Sequence, residues 1–270
     1  MHVKRWITGL TALPILIYLI YLGGLPFTVF VGLAAVVALA EFFRILFGGS
    51  WKSLAGILPV WGMALGFAMI WTAHAFTAEM ILLLLVLNIL ICAVYTLLRF
   101  KSDAVVLERV SQHTLAMVCI PLFLAFVIWI RDGNEGMLWV FFLLAIIFAG
   151  DIGAFYTGTY WGKHKLCPSV SPGKTVEGSL GGLAANVVVG SLIKLIFLGR
   201  LDWGHSILFF VCVGIAGQIG DLFESAFKRG SGIKDSGMIL PGHGGILDRI
   251  DALLFALPVA YFFKKFILWV

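Results

Sequence analysis

Apolar residues fill this chain in long runs that break only at polar or Gly/Pro clusters. The breaks mark nine spans, at 6–22, 25–47, 53–74, 78–98, 111–130, 137–160, 175–199, 206–227 and 250–269. A helix needs about 20 apolar residues to cross the hydrocarbon core of a bilayer. The runs approach or reach that length and lack strand-like alternation, so they predict transmembrane helices rather than barrel strands. No stretch between them accommodates a soluble domain. The predicted fold is all-α and polytopic, with about nine transmembrane helices.

Composition agrees with the pattern. The 270 residues are 61% hydrophobic and 12% charged, with a mean hydropathy of +1.05. Soluble domains carry about a quarter charged residues, so an ordinary soluble protein is excluded. A net charge of +5 would suggest nucleic acid in a soluble chain. Here the basic residues collect in alternate loops, and no nucleic-acid partner is expected. With the N-terminus in the cytoplasm, 14 of the 19 lysines and arginines fall on the inner side, as the positive-inside rule demands. Arg131 and Arg200 lie outside, while Lys194, Lys264 and Lys265 sit toward outer helix ends and can snorkel. The opening "MHVKRWITGLTALPILIYLIYLGGLPF" reads as a first helix rather than a cleaved leader. The four cysteines have no metal-ligand spacing.

Charge then divides the chain. Residues 1–134 hold little inside their spans beyond Asn88, with Glu41 near a span end, and read as scaffold. Residues 135–270 carry Asp151, Glu177, Asp221, Glu224 and Asp251 within apolar runs and read as the catalytic region, with a metal and nucleotide site facing the cytoplasm. Small residues in "GMALG" (62–66) and "GIAGQIG" (214–220) predict close helix approach.

A charged side chain near the bilayer centre costs roughly 2.5–3.5 kcal/mol on insertion scales and usually marks function. Asp221, Glu224, Ser225 and Lys228 stand at i, i+3, i+4 and i+7, on one helix face. Asp248 and Asp251 repeat the i, i+3 spacing at the start of the last span. An ion-pair network that merely fixes packing is one reading. The oxygen-rich donor set favours the other, a hard cation such as Mg²⁺, which takes one or two carboxylates and completes its shell with water and phosphate.

Between those acids lies "KRGSGIKDSGMILPGHGGILDRID" (228–251). Gly237, Gly242, Gly244 and Gly245 would let backbone N–H groups approach an anion. Lys228, Arg229, Lys234 and Arg249 flank them, and His243 lies among the glycines as a candidate phosphate contact. A second basic stretch, "GKHKLCPSVSPGKTVEGSLGG" (162–182), contains GKT but has Pro168 where a Walker A loop needs glycine. It reads as a loop opening a helix near Lys174. Ser171, Lys174 and Thr175 are placed there to bind a phosphate or to anchor the loop near anionic headgroups.

Ser225-x-Phe227-Lys228-Arg229, then Lys234-Asp235-x-Gly237, then Pro241-x-His243-Gly244-Gly245-Ile246-x-Asp248-Arg249-Ile250-Asp251 resembles the signature of the phosphatidate cytidylyltransferases (CDP-diacylglycerol synthases). Asp151, Ser171-Pro172-Gly173-Lys174-Thr175 and Glu177-Gly178 look like the same family, so the resemblance covers most of 150–255. It implies that CTP and phosphatidate give CDP-diacylglycerol and pyrophosphate with Mg²⁺, in phospholipid biosynthesis. It further implies Asp221 and Asp248 as metal ligands, with Asp251 and Glu224 completing the site or holding a second cation, K⁺ or Mg²⁺. Lys228, Arg229 and Arg249 would neutralise charge developing at phosphorus. Ser171, Lys174, Thr175, Glu177, Ser225, Lys234, Asp235, His243, Gly244 and Gly245 are the candidate substrate contacts. The expected partners are CTP, phosphatidic acid and the lipid bilayer, with a homodimer left open. The expected location is the bacterial cytoplasmic membrane, with the site on the cytoplasmic side. A cation-coupled transporter and a CTP-dependent polyprenol kinase remain as rival readings.

Overall fold

A computed structural model of the chain describes residues 2–47, 51–237 and 244–268. The helices are α1 (His2–Leu22), α2 (Gly24–Leu46), α3 (Ile57–Ala75), α4 (Ala78–Arg99), α5 (Val106–Met117), α6 (Phe123–Asp132), α7 (Gly136–Trp161), α8 (Val176–Phe197), α9 (Trp203–Gly230) and α10 (Leu247–Phe266). Each predicted span falls on one of these rods, the fifth on α5 and α6 together. Among the described residues seven rods are long and apolar enough to cross a membrane, with Val106–Asp132 taken as one. Within α1 the described residues Ala12–Leu22 form a shorter apolar stretch, and α10 does not meet that measure. Exposed Leu82, Val86, Leu90 and Leu97 on α4 form the kind of outer surface that lipid covers. The fold is thus an all-α polytopic membrane protein.

The chain divides into two compact units, one of Met1–Asp132 with Gly230–Arg249, the other of Gly133–Arg229 with Ile250–Val270. In the first, α2 and α3 approach closely because glycine leaves room. A methyl group at Gly62 would meet the Phe43 ring and His113, and one at Gly32 would meet the Phe67 ring. The interior polar residue Asn88 accepts from Trp61 Nε1 at 3.0 Å and lies 3.0 Å from His113 Nε2. Between α5 and α6 the rod widens into a π-helical turn, Val118–Leu122, around Pro121. Proline has no N–H to donate and crowds the preceding turn, and the wider turn absorbs both defects.

In the second unit α7 and α8 run against each other along small residues. A Cβ at Gly153 would strike Ala185 and the Gly181 carbonyl, and one at Gly181 would strike Thr157. Between them comes an unpredicted antiparallel hairpin, β1 (Lys165–Cys167) and β2 (Ser171–Thr175), pairing Lys165 with Thr175 and Cys167 with Ser171. Lys194 and Lys264 do not snorkel outward. Lys194 is buried with Nζ 4.0 Å from the Trp203 ring centre, and Lys264 donates to the Asn134 carbonyl at 2.6 Å.

Candidate active site

The second unit holds a cavity of about 540 Å³ walled by α7, the hairpin, α8 and α9. It exists because its walls are thin: Gly150, Ala154 and Gly158 face it from α7, Gly178 from α8, and Gly214 and Gly217 from α9. Gly214 and Gly217 of the "GIAGQIG" stretch and Asp221 line the same cavity. Asp151, Lys174, Ser179, Gln218 and Asp221 supply polar groups to the lining, and Phe155, Leu166 and Leu222 supply apolar ones. Lys174 Nζ lies 2.5 Å from Asp221 Oδ2, with both side chains about one-third exposed or less. Ser225 Oγ donates to Asp221 Oδ1 at 3.4 Å. Ser179 and Gln218 bind each other across α8 and α9, the Gln218 amide donating to the Ser179 carbonyl at 3.0 Å.

Of the other predicted residues of this unit, Ser171 and Thr175 line the cavity, while Glu177, Glu224, Ser225, Lys228, Arg229 and Asp251 do not. Ser171 lines the cavity at the start of β2. Thr175 caps α8, its hydroxyl accepting from Gly178 N at 3.0 Å. Glu177 gathers the turn before β1, accepting from Lys163 N at 3.1 Å and lying 2.6 Å from His164 Nδ1. On α9 the buried Glu224 pairs with Lys228 one turn on, and Arg229 Nε donates to the Val170 carbonyl at 3.2 Å. Asp251 Oδ1 accepts from Ala252 N at 2.7 Å and lies within electrostatic reach of Asp221, Lys228 and Asp151.

The signature loop belongs to the first unit, and its amides point at protein carboxylates. Asp248 accepts from Ser236 N at 3.0 Å and from Gly245 N at 2.8 Å. Glu41, from α2, accepts from Ile246 N at 3.2 Å, Leu247 N at 2.8 Å and Ser236 Oγ at 3.2 Å. Gly244 takes φ +82°, the left-handed region that glycine tolerates. Gly237 has no room for a Cβ because the Glu41 carboxylate fills it, and at Gly245 the Ser236 hydroxyl and the Glu41 carboxylate together do. Lys234, Asp235 and Arg249 are exposed, and His243 lies outside the described residues. Glu41 is the residue that sequence reasoning missed. Its signal was a lone acid in α2, whose only other charged residue is Arg44.

The model of the cytidylyltransferase family matches residues 3–267 of the chain. The chain belongs to the cytidylyltransferase family. This cytidylyltransferase is 36% identical over 263 residues to the phosphatidate cytidylyltransferase of Bacillus subtilis (strain 168), covering 96% of each chain. It is 33% identical over 256 residues to that of Staphylococcus saprophyticus, covering 94% of this chain and 96% of the relative. The enzyme of the same name from Staphylococcus haemolyticus is 32% identical over 262 residues with the same coverage.

The donor set of the cytidylyltransferase fits Mg²⁺. Asp151 and Asp221 offer hard carboxylate oxygens at the cavity wall. Among the described residues no three His, Cys, Asp or Glu side chains gather as a full protein cage. Mg²⁺ uses one or two carboxylates and leaves the rest of its octahedron to water and phosphate oxygens. Such a donor set suits an ion that arrives with a nucleotide.

Proposed function

We propose that this membrane cytidylyltransferase condenses CTP with phosphatidate to give CDP-diacylglycerol and pyrophosphate. The observation that carries the reading is a cavity lined both by Lys174, Asp151 and Asp221 and by Phe155, Leu166 and Leu222. An anionic headgroup and its acyl chains need both kinds of surface at once. In the reaction a phosphate oxygen of phosphatidate forms a bond to the α-phosphorus of CTP. The bond from that phosphorus to the β-phosphate's bridging oxygen breaks, and pyrophosphate leaves with the electron pair. The lipid phosphate is already ionised, so no Ser, Cys or general base is required. Positioning and charge neutralisation supply the rate.

Lys174 stands beside the cavity to meet a phosphate once its hold on Asp221 is shared. Lys228, Arg229 and Arg249 are the further cations of the reading, and Ser171, Ser225, Lys234, Asp235 and His243 its substrate contacts. Asp221 would hold Mg²⁺ with Asp248, as the family resemblance implies, and Asp251 or Glu224 would complete the set or serve a second cation. Bound there, Mg²⁺ would polarise the α-phosphate and stabilise the leaving pyrophosphate. The inside-positive charge bias supports a cytoplasmic site in a bacterial inner membrane, where soluble CTP meets lipid. A homodimer is part of the proposal, checked by the mass of the detergent-solubilised particle.

Pure protein in detergent, given phosphatidate, Mg²⁺ and α-labelled CTP, should put label into the lipid product without any ion gradient. Label entering lipid only from γ-labelled CTP would make the protein a lipid kinase instead. No turnover without a gradient would favour the transporter.

A further inference from the structure

We infer that Glu41, on the helix that the sequence assigns to scaffold, positions Asp248 by clamping the signature loop. Glu41 is fully buried, and burying a carboxylate is costly unless several donors compensate it. Three do so, and all come from the signature: Ile246 N, Leu247 N and Ser236 Oγ. The two amides are among the orphan donors at the start of α10, where the helix dipole also favours a negative charge. Glu41 thus caps α10 from another helix.

Asp248 is tied to the same three-point clamp. Ser236 gives its hydroxyl to Glu41 and its N–H to Asp248, and Gly245 N, just ahead of the two Glu41-bound amides, also goes to Asp248. Two carboxylates therefore divide the N–H groups of Gly245, Ile246 and Leu247 between them. Arg44, one turn beyond Glu41, closes the clamp by donating to the Ser236 carbonyl. Displacing Glu41 releases Ser236, and Asp248 loses its fixed place with it. The glycines follow from the same contact: a side chain at Gly237 or Gly245 would occupy the space of the Glu41 carboxylate.

The inference rests on the proposal that Asp248 acts in cytidylyl transfer, and the experiment separates the two. Glu41→Gln keeps the shape but turns one acceptor oxygen into a donor facing donors. Purified Glu41→Gln should exchange the amides of the peptide spanning 244–248 at least about tenfold faster than wild type. Its kcat should fall about tenfold or more with KM for CTP and phosphatidate nearly unchanged, because misplacement by a fraction of an ångström acts on the transition state. Ser236→Ala, which removes one donor and spares the helix, should move both readouts the same way by a smaller factor. Glu41→Asp, charged but one methylene shorter, should recover part of kcat. Wild-type amide exchange and wild-type kcat in Glu41→Gln would overturn the inference. So would an inactive Asp248→Asn beside a fully active Glu41→Gln. A fully active Asp248→Asn would instead sink the proposed role of Asp248, while fast amide exchange in Glu41→Gln would still support the clamp.

Discussion

Lys174 Nζ and Asp221 Oδ2 are 2.5 Å apart at the cavity wall, so the chain supplies its own cation to the carboxylate assigned to the metal. In the proposed reaction, substrate phosphates would share Lys174 with Asp221. Lys174→Gln should lower kcat/KM about 100-fold, in line with losing one charge-stabilising donor. Lys174→Arg should recover part of it. Equal rates for wild type and Lys174→Gln, measured with labelled CTP, would remove Lys174 from the site.

Asp221→Asn keeps the volume and loses the charge. The protein should still insert and purify, with Mg²⁺-dependent turnover lost. Chelating divalent cations from the wild type should stop turnover, and adding Mg²⁺ should restore it. A chelated enzyme that continues at full rate would refute the metal requirement.

Thr175 occupies the N-cap of α8, with its hydroxyl on Gly178 N. Thr175→Ala should cost about 1 kcal/mol of stability, read as a lower unfolding midpoint. Thr175→Ser should restore it. If Thr175 also touches substrate, KM for CTP will rise in the alanine variant beyond what reduced stability explains.

The contact between α7 and α8 has no spare volume at Gly153. Gly153→Val should overpack it at a cost of about 1–3 kcal/mol, lowering the yield of folded protein and the thermal midpoint. An unchanged midpoint would show that the two helices can separate cheaply.

Lys101 is exposed in the turn after α4, far along the chain from the signature. Lys101→Ala should leave activity within about twofold of wild type, as expected for a surface position away from special features. Complete loss would show that the site is drawn too narrowly.

Much of this architecture is legible in the amino-acid order because a bilayer imposes a length on each apolar run. The breaks before Ile57, Ala78, Gly136 and Trp203 all follow Gly, polar or charged clusters, and the helices begin there. The shared helix face of Asp221, Glu224, Ser225 and Lys228 was legible from helical spacing, and the start of α8 from the polar residues around Lys174. The hairpin was not, since its two short strands carry no alternating apolar pattern. Glu41 was hidden for a different reason. Its partner Leu247 lies 206 residues away, and no local periodicity records so distant a contact.

The π-helical turn at Val118–Leu122 sets the rotation of α6. One residue corresponds to about 100° around a helix axis. Deleting a single residue there would swing α6 by that angle, carrying Trp129 Nε1 away from the Ala73 carbonyl and Arg131 away from the carbonyls of Ile20 and Tyr21. A lone codon loss at Pro121 would thus act as a change of phase: α6 would turn the wrong side chains inward while its composition stayed the same.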